Sequence, residues 1–310
     1  MPDGRGKRDL EGVRKMKSQA WKIGHVLAGL FLLGRPAAAL ERDAGDNIAI
    51  PDGITGCATY YYYGKFGKIN IKGIGDIKTK TGQQVQAGVL SCFRSYEVGD
   101  LTIVPIFFIP VAGQYDVELG GVRIPGATGF GDPSVGAQVY LYKDPTEGRY
   151  FSLYGFVNVP LGTYDARDAI NIGANRYKFD ITAAYTQNII SDKFSVDLFA
   201  AGLFYTENQN YSAYHLTLRQ DPSLQLQAFL SYLPMDGTRI SIGYMGHFFG
   251  NQYVSGIRNG LQTNEHMLRF SVAQMLSPTT QALVEVSRDI AVKGGSFEEL
   301  RIQTRFVWVF

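Results

Sequence analysis

The chain has 310 residues, 45% hydrophobic and only 19% charged, with 36 Gly, 19 Tyr and 19 Phe. Soluble domains are about a quarter charged, so this balance suits a protein that shows an apolar surface to lipid. The formal net charge of +2 belongs to the N-terminus. The first 39 residues hold eight of the 30 Lys/Arg and three of the 28 Asp/Glu, leaving 22 basic against 25 acidic groups, a net −3. That balance gives no support for a nucleic-acid partner, and none is expected.

In chain order, residues 16–22 are basic, 26–33 apolar, and Ala37-Ala38-Ala39 supplies the small residues of a peptidase site. This is the pattern of an export signal, and the apolar run falls short of the ~20 residues a spanning helix needs. Residues 1–39 are therefore expected to be a signal peptide, with Met16 the true start and cleavage after Ala39. Residues 40–54 are expected to be a periplasmic segment or a plug in a lumen. Cys57 and Cys92 enter an oxidising compartment. A hairpin of the first two strands would set them nearly opposite, so a disulfide is possible and stays open at this point.

From residue 55 to the end, segments of about ten to fourteen residues alternate apolar and polar side chains. This is the period-two signature of strands with one face on lipid and one on water. The last is the clearest: Leu300, Ile302, Thr304, Phe306, Trp308 and Phe310 share one face, and Glu299, Arg301, Gln303 and Arg305 the other. Strands are expected near 55–66, 84–97, 101–114, 130–142, 150–162, 174–190, 193–206, 223–233, 237–249, 263–276, 280–292 and 298–310. The segment at 101–111 is apolar on both faces, so its orientation is open. Short turns at 98–100, 143–148, 191–192, 234–236 and 277–279 alternate with longer loops near 67–83, 115–129, 163–173, 207–222, 250–262 and 293–297. Short periplasmic turns and long outer loops alternate in this way in transmembrane barrels. The fold expected is all-β, a single antiparallel up-and-down transmembrane β-barrel of about twelve strands over 55–310, in the bacterial outer membrane.

The charges expected to face the lumen are Arg176, Lys178, Asp180, Asp197, Arg239, Arg269, Glu285, Arg301 and Arg305. They either pair across the interior or line a solute pathway together with Tyr150, Tyr154, Phe156 and Phe199. Twelve strands imply a bore between filled and freely open, and aromatics among polar groups suit a small apolar or aromatic solute. No G-x-S-x-G or H-E-x-x-H motif is present, so no catalytic residue, metal or cofactor is assigned. His247 and His266, near the outer ends of neighbouring strands, are the positions a barrel enzyme would have to use.

Several passages resemble one family. Gly129-Phe130-Gly131-Asp132 resembles its G-x-G-D strand opening, and Pro160-Leu161-Gly162-Thr163-Tyr164-Asp165 its P-x-G-x-Y-D strand end. Residues 171–179, beginning Asn171-Ile172-Gly173-Ala174-Asn175-Arg176, resemble its N-x-G-x-N-R element, and Tyr232-Leu233-Pro234 and the final strand also fit. Together they are similar to the MetA-type phenol-degradation outer-membrane family over about residues 80–310. The Tyr60-Tyr61-Tyr62-Tyr63 run departs from its pattern. The resemblance implies an outer-membrane barrel for uptake of aromatic or other apolar compounds, and no catalytic residues. The resulting expectation is a channel for passive uptake of small hydrophobic or aromatic compounds, with lipid around it and the barrel-assembly machinery reading Phe310. The alternatives are a structural barrel with a filled lumen and functional outer loops, or a barrel enzyme.

Overall fold

Polar side chains lie inside this protein and apolar ones outside. The computed structural model describes residues 41–310 except 72–73, 191 and 260–261; the expected leader and Leu40 lie outside the described residues. Twelve strands form the wall: β1 (Thr55–Ile71), β2 (Gly82–Arg94), β3 (Leu101–Leu119), β4 (Ser134–Asp144), β5 (Arg149–Asn158), β6 (Lys178–Ile189), β7 (Phe194–Tyr205), β8 (Ser223–Tyr232), β9 (Thr238–Phe248), β10 (Asn264–Ser277), β11 (Thr280–Lys293) and β12 (Ser296–Val309). Each pairs antiparallel with its neighbours, and β1 also pairs with β12, so the sheet closes on itself. Closure leaves no membrane-buried edge with unpaired backbone groups, the condition for spanning lipid with strands.

The alternation fixes which way each strand faces. On β8, Leu224, Leu226, Leu230 and Tyr232 are exposed while Gln225, Gln227 and Ser231 are buried. On β12, Ile302 and Phe306 are exposed, as is Phe310 just beyond its end, and Arg301, Gln303 and Arg305 are buried. A one-residue slip would turn those arginines outward, and charge on the lipid face costs about 2–4 kcal/mol near the midplane. On β3, Thr102, Val104, Phe108 and Pro110 face in, while Phe107, Ile109 and Val111 face out.

Four departures from the sequence pattern have local causes. A bulge between Lys65 and Lys68 shifts the β1–β12 register, so Glu298 turns inward and Glu299 outward. Much of the 67–83 and 115–129 loops is strand, because β1 and β3 continue past the apolar band as paired ribbons. Residues 159–177 leave the sheet earlier than expected. Pro160 has no N–H to give a ladder, and Ala166, Ile170 and Ile172 turn inward and are buried. Finally, the loops 207–222 and 250–262 build a second sheet from Asn208–Tyr211, Leu216–Gln220, Gln252–Val254 and Ile257–Arg258. Cys57 and Cys92 are cross-strand partners on the outward face and form a disulfide.

Candidate functional site

The bore is crossed by the chain's own N-terminal segment. Residues 41–50 pair with no strand and are held by side chains of the wall. Asp43 accepts from Arg269 Nη2 at 2.9 Å, Arg305 Nη1 at 3.0 Å and Gln303 Nε2 at 3.1 Å. Arg269 Nε also donates to Glu285 at 2.8 Å, and its Nη1 to the Arg42 carbonyl at 2.9 Å. Arg305 reaches Asp46 at 2.6 Å, and Arg301 lies between Glu298 and Glu41. Gly45 N–H donates to Asp197 Oδ2 at 3.1 Å; that carboxylate also faces Arg239 at 3.6 Å.

Further down, Asn47 is fully buried. It donates to the Tyr150 carbonyl at 3.3 Å and Thr186 at 3.2 Å, and accepts from Gln138 at 3.2 Å. Tyr140 and Tyr154 donate to the carbonyls of Ile48 and Asp46. Aromatic rings close the remaining space: Phe108 against Phe156 and Phe199 against Phe229, with Arg42 stacked 4.4 Å over Tyr154.

Cavities lie on either side of this waist. The inner one, about 290 Å³, is lined by Ile48, Ile50, Tyr60, Phe93 and Ile106 among others. The outer one, about 240 Å³, lies under the inturned loop 159–177 and the second sheet, with Glu41 at its floor. Asp132 organises its roof: one oxygen accepts Gly162 N–H at 2.9 Å, the other Ala174 N–H at 2.8 Å. A Cβ at Gly162 would stand 2.8 Å from Asp132 N and Oδ1, and one at Gly173 2.8 Å from the Gly162 carbonyl carbon. The G-x-G-D, P-x-G and N-x-G passages therefore meet at one point and need glycine for backbones to touch. In the roof loops, hydrogen bonding from Arg167 holds the Asp165 carboxyl down at about 2. Burial pushes the Tyr164 and Tyr211 phenols up, so both stay protonated.

The residues singled out from the sequence divide between these regions. Tyr150, Tyr154, Phe156, Phe199, Asp197, Arg239, Arg269, Glu285, Arg301 and Arg305 surround the segment. Arg176 and Lys178 line the outer cavity, and Asp180 is buried on the same face, accepting the Thr182 hydroxyl at 2.6 Å. The sequence reading missed Glu41, Asp43, Asp46 and Asn47 as specific partners, and Glu298 because of the bulge. His247 stacks on Phe249 in the outer cavity, whereas His266 faces out, hydrogen-bonded to Tyr244.

A closed twelve-stranded barrel with a polar, aromatic-lined bore and an apolar outside is an outer-membrane barrel of the channel class. The chain matches the family described as "Putative MetA-pathway of phenol degradation" over residues 58–306 and belongs to it. It is similar to the COG4313 outer membrane channel from Pseudomonas putida F1, at 26% identity and a TM-score of 0.82, covering 87% of this chain and all of that one. The transport unit of the Escherichia coli autotransporter AIDA-I shares the fold alone, at 11% identity and a TM-score of 0.54 over 93% of this chain and 98% of that one. So does the β domain of the Bordetella autotransporter BrkA, at 9% and 0.51 over 84% and 100%. No curated protein matches the chain.

Proposed function

We propose that the barrel takes up small hydrophobic or aromatic compounds by passive diffusion, with the segment after a cleaved 1–39 leader acting as a removable plug. The observation that carries this is the way residues 41–50 are held. They contribute no strand to the sheet, so they can leave without breaking a rung of the wall. Their departure would join two cavities whose linings mix aromatic and polar side chains, as solute pathways do.

Vesicle swelling tests this. Full-length protein should admit a phenyl glycoside faster than a sugar of comparable mass, and deletion of 41–50 should raise both rates. Equal exclusion of both solutes before and after the deletion would overturn it. It would favour a second reading, a structural barrel with a filled lumen, which the dense ion network at the waist supports.

A further inference from the structure

Arg239, Arg269, Arg301 and Arg305 each have a carboxylate within 3.6 Å. At the outer cavity the pattern breaks: no carboxylate of the described residues stands at ion-pair distance from Arg176 or Lys178. Arg176 is nevertheless held firmly. Its Nη2 donates to Gln220 Oε1 at 2.5 Å, and its guanidinium lies 4.6 Å over the Tyr205 ring, whose hydroxyl donates to Ser223. Its Nη1 is buried and has no hydrogen-bond partner. Lys178 stands opposite Asn158 and Tyr205 in the register and lines the same cavity.

The carboxylates around this cavity are committed elsewhere. Glu41 pairs with Arg301, Asp132 spends both oxygens on backbone N–H groups, and Asp168 is exposed at the rim. Asp132 still shares its field with both cations, and Asp180, inward on the same strand and accepting the Thr182 hydroxyl, adds to the field at Lys178 without standing at ion-pair distance. Glu265, four strands round the wall, is itself engaged. Leaving a buried cation uncompensated is costly, and a fixed, underused guanidinium beside an ammonium matches a carboxylate. The remaining wall offers Phe66, Ile172, Leu203, Tyr211, Leu218 and Phe249, an apolar seat for a ring.

We infer that the outer cavity binds a small aromatic monocarboxylate, its carboxylate against Arg176 and Lys178 and its ring against the apolar wall. This deepens the uptake reading and rests on it only for the route the solute takes. Benzoate is the probe and benzamide its neutral counterpart of nearly equal shape, titrated calorimetrically into full-length protein in detergent. Benzoate should bind at least about tenfold more tightly than benzamide, the range of a charge-assisted hydrogen bond. Arg176→Gln and Lys178→Gln should each remove most of that difference and leave benzamide unchanged, while Lys178→Arg keeps it. Heat-modifiable migration on gels verifies that each variant is folded. Equal affinities for the two probes, or unchanged benzoate binding in Lys178→Gln, would overturn the site. Benzoate binding without solute entry into vesicles would keep the site and remove the uptake reading; entry without benzoate preference would do the reverse.

Discussion

The waist and the outer cavity are built from the same wall yet treat charge in opposite ways. At the waist Asp43 is shared by Arg269 and Arg305, and Glu285, Glu298 and Glu41 complete the neutralisation. In the outer cavity Arg176 is stacked and anchored but meets no counter-ion. Charge that is balanced within the chain closes space, and charge left unbalanced prepares space for something else.

The largest effect is expected where both regions are lost together. Phe310 lies at the seam between β12 and β1, its N–H donating to the Thr55 carbonyl at 2.9 Å. Phe310→Asp should sharply reduce heat-modifiable barrel in membranes while synthesis and export continue. Undiminished assembly would remove the role given to that residue.

Next is the waist alone. Asp43→Ala takes one of two carboxylate partners from each of the buried guanidinium groups of Arg269 and Arg305, and removing one partner of a buried pair costs up to about 3–5 kcal/mol. Release of the segment should follow, read as ion conductance in planar bilayers well above that of the wild type. A silent variant would mean the waist stays shut without its central carboxylate. Smaller still, Gly162→Ala pushes a methyl into Asp132 and should cost about 1–3 kcal/mol by overpacking. Its effect should be confined to the outer cavity, weakening benzoate binding with conductance unchanged. The smallest effect distinguishes the regions most directly. Arg176→Gln should lower the unfolding free energy by about 1 kcal/mol, one hydrogen bond's worth, whereas Arg305→Gln should lower it by several times as much. Equal losses from the two substitutions would erase the contrast.

The wall could be read from the sequence because a strand's alternation is local. Val284 and Val286 outward with Glu285 inward, or Phe179 and Ile181 outward with Asp180 inward, need no knowledge of the partner strand. Glu298 could not be read, since Glu299 is an extra residue of β12 at the bulge and reverses the assignment of its neighbour. Nor could the entry of 159–177 into the bore, which depends on Asp132 and Gly162 meeting from distant strands. The segment 41–50 has no periodicity to betray its place. An indirect signal did exist: the charges assigned inward comprise six cations and three carboxylates, and Glu41, Asp43 and Asp46 supply three more. Charge balance across a closed interior is a non-local quantity that a strand-by-strand reading does not sum.

The segment that crosses the bore also changes what the bore would conduct. It brings Glu41, Asp43 and Asp46 into the lumen with Arg42 as their only cation among residues 41–50, so its departure removes two net negative charges. Arg305 would then face water without either of its carboxylate partners. Arg239, Arg269 and Arg301 would keep wall carboxylates, so the emptied pore would carry a local positive potential at the waist, beside Arg305. It would favour anions over cations there, a preference that should weaken as added salt shortens the Debye length. The segment thus holds a set of tethered counter-ions, and its withdrawal would change the charge selectivity of the pore as well as its width.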